Sequence, residues 1–453
     1  YRTDDYGKSW RRIVNEKDTE SYALCIIEDP IENNLMFLGT DDGLYYSINA
    51  GFTWDKYTNG FPTVPVKDLV IHPREHDLVI GTFGRAAWVL DDLRPLREIA
   101  KNKNVLNESL KVFTPPTAYQ AAYQQPTGTR FGGDALYQGE NKDSGAQISY
   151  WYNGPTPSAE GGEDDAPDPV IDNEEDENDE EEEEEDDEIS TELSDDEDSG
   201  TSKDSIYMKI YDGDRLIRSL KRKVPDSSGI YKWTWRMNEA GKDRPSRTIR
   251  KRRGEPGGTS VKPGSYRIEM ENNGTTTSTT IKVESDPRLN IPQKAILDTY
   301  TASKQMEQMT QLAADAVKQL VESKMASETF SKNLKKEDKE KYKEELKEAK
   351  DINKKIDSLI ALYIGSVDKR QGITRNPEVT VMQRIGSARW YSGTRPNGLT
   401  ETERTLMQHA KTELNAALTK TNAFFVKDWA EFTAKMKAIS LPTFKKTTTF
   451  KLN

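Results

Sequence analysis

The sequence predicts a multidomain chain, mainly β and then α. Three observations carry that prediction. A pair of motifs repeats within the first 97 residues. Alternating apolar strands separated by turn residues fill residues 146–290. Long amphipathic stripes run through residues 291–453.

The repeat comes first in the chain. Leu35-Met-Phe-Leu-Gly39 and Asp77-Leu-Val-Ile-Gly81 are compact apolar runs closed by glycine, the pattern of buried strands. Thr3-x-Asp5-x-Gly7-x-Ser9-Trp10 returns 44 residues later as Ser47-x-Asn49-x-Gly51-x-Thr53-Trp54. The run ending Gly39-Thr40 is echoed, with Leu35 and Leu78 lying 43 residues apart, by the run ending Gly81-Thr82. Two separate motifs with nearly one period define a repeated unit of about four strands. Such a unit cannot bury both faces of its sheet alone.

These residues carry a resemblance. Ser/Thr-x-Asp-x-Gly-x-Ser/Thr-Trp resembles the Asp-box of BNR repeats. All core positions of the first box match, and in the second Asn49 stands for the family aspartate. LGTDDGLYYSINAGFTW is similar to a blade of sortilin-type and photosystem-assembly-factor-type β-propellers. HDLVIGTFGRAAWVLDDLRPL resembles the closing blade of bacterial sortilin-like or "glycosyl hydrolase" BNR proteins, with Trp88-Val-Leu-Asp-Asp92 in place of a box. The resemblance implies that residues 1–97 are the C-terminal blades of a propeller, the rest of which lies in a missing N-terminal part. It also implies that the boxes are structural, with Asp5 accepting backbone N–H bonds in its own turn and Trp10 and Trp54 packed between strands.

Residues 98–145 read as a connector without regular pattern, marked by Pro115-Pro116. Strands resume at Ile148-Ser-Tyr-Trp-Tyr152, Ile206 to Tyr211, Tyr231 to Trp235, Tyr266 to Met270 and Thr279 to Val283. Asp212-Gly213 is a hairpin signal. Six or seven short strands predict an immunoglobulin-like or fibronectin-type sandwich over residues 146–290. The resembling bacterial proteins carry such a domain after the propeller, with a Pro-Gly-x-Tyr turn (here Pro263 to Tyr266) and a terminal Asp286-Pro287-Arg288. An acidic insertion, about residues 155–203, falls between the first two strands, and a disordered loop at a hairpin tip is expected. In the last part, Met306, Met309, Ala313, Ala316 and Leu320 share one helical stripe, as do Tyr342 to Tyr363 and Met407 to Met436. Thr400-x-x-Glu403 is a capping box. Together they predict an antiparallel bundle.

Charge divides the chain. Residues 160–198 hold 25 acidic and no basic residues, so the formal charge of −12 conceals a remainder of +13. No apolar run is long enough for a transmembrane helix. The single cysteine, Cys25, excludes an internal disulfide framework and a cysteine zinc site, and it reads as a small buried residue. His72 and His76 have metal-like spacing, but Pro73 denies them a helix. No metal or cofactor is expected. Arg85 reads either as a residue lining a propeller pocket or as an ion-pair partner. The basic run Arg244, Arg247, Arg250, Lys251, Arg252 and Arg253 lacks interleaved aromatics, so it reads as a solvated loop or a docking patch rather than a nucleic-acid site. Opposite charge should draw the acidic insertion toward it, in cis or through a shared partner.

The expected function is that of a non-catalytic, extracytoplasmic binding or scaffold protein. Its place would be the periplasm or the outer-membrane surface of a bacterium, and its partner a protein or peptide, within an envelope complex. Two alternatives stay open. One is a carbohydrate-active hydrolase whose facing carboxylates lie in the missing blades. The other is an assembly chaperone resembling the propeller-type assembly factors.

Overall fold

The computed structural model describes residues 1–121, 142–154, 205–249, 254–367, 379–393 and 397–439. The first part holds two antiparallel sheets. One runs in the order β1 (Ala23–Glu28), β2 (Met36–Thr40), β3 (Gly43–Ser47), β4 (Asp55–Lys56), and the other β5 (Val66–Ile71), β6 (Leu78–Thr82), β7 (Ala87–Leu90). Strand alternation gives each sheet two apolar faces. Leu35, Phe37 and Leu44 of the first meet Leu69, Ile71, Leu78 and Ile80 of the second in one core. The opposite face of the first sheet, Met36, Leu38 and Tyr45, is covered by Ile13 and Trp54. The repeated unit has four strands in the first copy and three in the second, after which the chain turns into α1 (Arg94–Lys101).

Helix α1 is held by a buried charge. The Arg97 guanidinium donates to both Asp29 oxygens, at 2.7 to 3.0 Å, and to His76 Nδ1 at 2.8 Å. Asp29 also accepts the Ile31 and Glu32 amides. This contact joins the β1–β2 turn, the β5–β6 turn and α1. Burial, and then the positive charge of Arg94 and Arg97, lowers the His76 pKa, which suits a neutral ring accepting through Nδ1.

The described stretch 98–121 of the segment expected to be an irregular connector is structured. After a 3-10 turn (Lys103–Asn107) it supplies β8 (Leu110–Val112) and β9 (Ala118–Gln120). These are edge strands of the following unit, where apolar alternation over three residues is too short a signal to see in sequence. Strand β8 joins β10 (Ala146–Tyr152) and β13 (Gly229–Trp235) in a three-stranded sheet. A five-stranded sheet follows the order β12 (Arg215–Lys223), β11 (Ser205–Asp212), β16 (Gly264–Asn272), β17 (Thr275–Ser285), β9, with β9 parallel to β17. The two sheets share one core around Trp235, Tyr150, Ile268 and Met208. Strands β14 (Asn238–Ala240) and β15 (Gly257–Ser260) form a separate ladder. Since β10 pairs with β8 and β13 but not with β11, the acidic insertion connects two sheets rather than capping a hairpin. The insertion itself lies outside the described residues.

Helices α2 (Gln293–Asp338), α3 (Lys343–Ile364), α4 (Val381–Gly393), α5 (Glu401–Phe424) and α6 (Ala430–Lys437) share a second core. Helix α5 begins at the Thr400/Glu403 capping box and runs through a π-helical turn at Phe425–Trp429 into α6. One carboxylate ties these helices to the β unit. Glu239 of β14, nearly inaccessible to solvent, accepts a two-armed bond from Arg215 at 2.9 and 3.0 Å and the Tyr300 hydroxyl at 2.6 Å. Lys304 of α2 lies 3.2 Å away and also bonds Glu307, whose other oxygen accepts the Thr259 amide of β15.

Two variants test these joints. Asp29→Ala leaves the Arg97 charge buried without its partner and should cost about 3–5 kcal/mol in denaturant unfolding. Burial alone would raise the Glu239 pKa, but Arg215, Tyr300 and Lys304 outweigh it and hold it at about 2. The folded value lies below the ordinary ~4.3 of the unfolded chain. Its stabilisation is therefore complete above that pH and fades as pH falls toward 2. Glu239→Gln should be less stable at neutral pH and flatten the fall in stability between about pH 4.5 and 2.5. Urea unfolding across that range reads the difference.

Candidate binding face

The two Asp-box turns have the same wiring. In the first, Asp5 accepts the Ser9 amide at 2.9 Å, the Ser9 hydroxyl at 2.7 Å and the Thr3 hydroxyl at 2.9 Å, while Thr3 Oγ1 accepts the Gly7 amide. In the second, Asn49 Oδ1 accepts the Thr53 amide at 2.9 Å and the Ser47 hydroxyl at 2.8 Å, and Ser47 Oγ accepts the Gly51 amide. The boxes differ in the direction of one hydrogen bond. Asn49 Nδ2 donates to Thr53 Oγ1 at 2.8 Å, where Asp5 accepts from Ser9. The Ser9 hydroxyl, followed by the Ser9 amide and the Thr3 hydroxyl, lowers the Asp5 pKa to about 2. The tryptophans differ more. Trp54 is 8% exposed and donates to the Ile13 carbonyl at 2.7 Å, packed as expected. Trp10 is 61% exposed and bonds only back to Gly7 O, which corrects the expectation that it packs between strands. Among the described residues the chain around Trp10 makes a single bridge, Arg2 to Arg11, and no strand pair encloses the ring.

The other singled-out residues scatter. Arg85 sits at the exposed β6–β7 turn, where its carbonyl accepts the Trp88 indole N–H at 3.0 Å. His72 and His76 serve a turn: His72 Nδ1 accepts the Glu75 amide at 3.1 Å. Cys25 is half-buried against Gly39 and Val66, and burial raises its thiol pKa. Arg247 donates to the Gly365 carbonyl at the end of α3, and Arg244 is exposed on the same loop. Arg250, Lys251, Arg252 and Arg253 lie outside the described residues.

What the sequence reading missed is a face. In the first sheet the cross-strand row Ile27–Phe37–Tyr46 is covered by the second sheet, and Phe37 has no exposure. In the second sheet the equivalent row is Val70–Val79–Val89. Val70 is 53% and Val89 55% exposed. The glycines repeat the contrast. A Cβ on Gly39 would lie 2.5 Å from Cys25 Sγ and 2.7 Å from Val66 of the neighbouring sheet. A Cβ on Gly81, at the same place in the motif, would meet nothing nearer than Asp68 of its own sheet, at 3.6 Å. The second sheet thus presents a row of valines and a glycine gap that, one repeat earlier, receive the next sheet. The residues were legible as strands. Their exposure was not, because periodicity shows that a face is apolar and not whether it is covered.

The geometry defines a class: stacked antiparallel sheets built from an Asp-box repeat, with an apolar face of the second sheet left open among the described residues. Residues 1–94 match the Sortilin-Vps10 family, described as sortilin, neurotensin receptor 3. This part of the chain is sortilin-like. Comparison with curated proteins and with solved structures gave no match.

Two substitutions should separate the glycines. Gly39→Val forces the two sheets apart and should destabilise by about 1–3 kcal/mol or more, whereas Gly81→Val should be close to neutral in thermal unfolding. In the boxes, Asp5→Asn should remove the acid sensitivity of its turn. The Ser9 amide resonance, which in the parent shifts as pH falls toward 2, should stay fixed in the variant.

Proposed function

We propose that this chain is part of a non-catalytic, extracytoplasmic scaffold or binding protein of a bacterial cell envelope, in which residues 1–94 are the terminal blades of a sortilin-like propeller. The observation that carries the reading is the open Val70–Val79–Val89 face with its vacant position above Gly81. Stacked repeats bury each face against the next unit. The occupant of this face is therefore a further β-sheet of the same kind, placing a residue such as Val66 over the glycine. The placement outside the cytoplasm rests on the resemblance of the blades to exported propeller proteins. The matching family is named for a receptor, which fits binding rather than turnover.

The immunoglobulin-like reading of the middle unit is part of the proposal. It is supported by the two sheets on one core and by Tyr266, whose hydroxyl donates to the Lys262 carbonyl four residues upstream at 2.6 Å. A rigid middle unit, tied to α2 through Glu239, would hold the blades and the helices as separate surfaces of one scaffold.

A photo-crosslinking residue at Val79, introduced into the protein in its own cell, tests the occupied face. Crosslinks to a peptide carrying an Asp-box-type repeat are the expected result. Capture of only water or lipid would overturn the reading.

A further inference from the structure

The helical hairpin carries a second surface. Where α2 turns into α3, the two helices line a groove of about 940 Å³ with eight lysines and three carboxylates. Two of the lysines are paired, Lys324 with Asp357 at 2.7 Å and Lys354 with Asp351 at 3.3 Å. Lys332, Lys335, Lys339, Lys343, Lys347 and Lys350 make no ion pair among the described residues. On α2 and α3 they recur three to four residues apart, so each helix turns one stripe of like charge toward the other. Facing lysines repel, and the Glu328 and Glu340 carboxylates of the groove offset only part of the six lysines that lack an ion pair. The groove is suited to an extended polyanion that lies along it.

We propose that the occupant is the chain's own acidic run, residues 160–198, docked in cis. Its 25 carboxylates without one basic residue are the complement of the groove. Its densest part, Glu180–Glu188, stands at the middle of the 50 residues that link Gly154 to Ser205, where a doubly tethered segment reaches furthest. Half of that link, extended, spans about 80 Å. Strand β11 covers ~24 Å from Ser205 to the Arg215–Glu239–Lys304 joint. From Glu307, just beyond that joint, α2 carries the path ~38–48 Å further, to Lys332 and Lys339. The groove therefore lies within reach. Arg247, at the other end of α3 on the Gly365 carbonyl, extends the positive track toward the β unit. This moves the expected partner of the acidic run from the arginine-rich loop, one of whose described arginines is occupied by the helix terminus, to the lysine groove.

Zero-length carboxyl–amine crosslinking of the full chain at low micromolar concentration, followed by peptide mapping, tests the proposal. Links from residues 160–198 to Lys332–Lys350 within single chains are expected, and they should weaken as salt shrinks the Debye length below ~8 Å. Replacing Glu180 through Glu185 by Gln leaves the folded units untouched and should cut the yield about tenfold. The quadruple variant Lys332→Gln, Lys335→Gln, Lys343→Gln, Lys347→Gln should do the same. Links that join only separate chains would overturn the cis arrangement. Links that go to lysines outside Lys332–Lys350, or that persist in the glutamine variants, would overturn the groove. So would protection of the groove by added inorganic polyphosphate with no links to the acidic run, which would assign the groove to an outside anion.

Discussion

A sheet with two apolar faces must have both covered, and that constraint organises the β half of this protein. The first sheet meets it with the second sheet on one side and with Ile13 and Trp54 on the other. Among the described residues, the second sheet meets it on one side only. The consequence is visible at two glycines of the same motif. Gly39 is compulsory because another sheet presses on it, and Gly81 is spacious because no sheet of the described residues does. The proposed function rests on that asymmetry, since contiguous exposed apolar faces mark interaction sites.

Buried charges supply the joints between units. Arg97 with Asp29 pins α1 across the two blade sheets, and Glu239 gathers Arg215, Tyr300 and Lys304 where the β unit meets α2. More exposed pairs add to these where Lys142 and Lys232 reach Asp77 and Asp91, at the boundary between the second sheet and the three-stranded sheet. Apolar contacts alone are non-directional, so paired and hydrogen-bonded charges fix the angle at which units meet. A buried pair of this kind contributes little net stability against an apolar replacement, but losing one member is costly.

Much of the local structure was legible. The Asp-box residues specify their turns because a short oxygen-bearing side chain at that place has few amides within reach, and Asn49 serves nearly as well as Asp5. The Asp212-Gly213 hairpin and the Thr400/Glu403 cap stand where turn and capping chemistry put them. The illegible parts share a cause. Strands β8 and β9 are three residues long and are defined by partners 38 to 165 positions away. The Arg97–Asp29 contact spans 68 residues of chain, and no spacing rule connects them.

The sequence by itself determined the periodicities: which faces are apolar, where turns and helix caps fall, and that one stretch of chain is too acidic to bury a core. These follow from short-range sterics and hydrogen bonding, which act within a few residues. Tertiary structure decided which apolar faces are covered, which charges meet, and that the lysines of two helices line one groove. Those outcomes depend on the approach of segments far apart in the chain, which is why the sequence marks the valine row as apolar and only the fold shows Val70 and Val89 exposed.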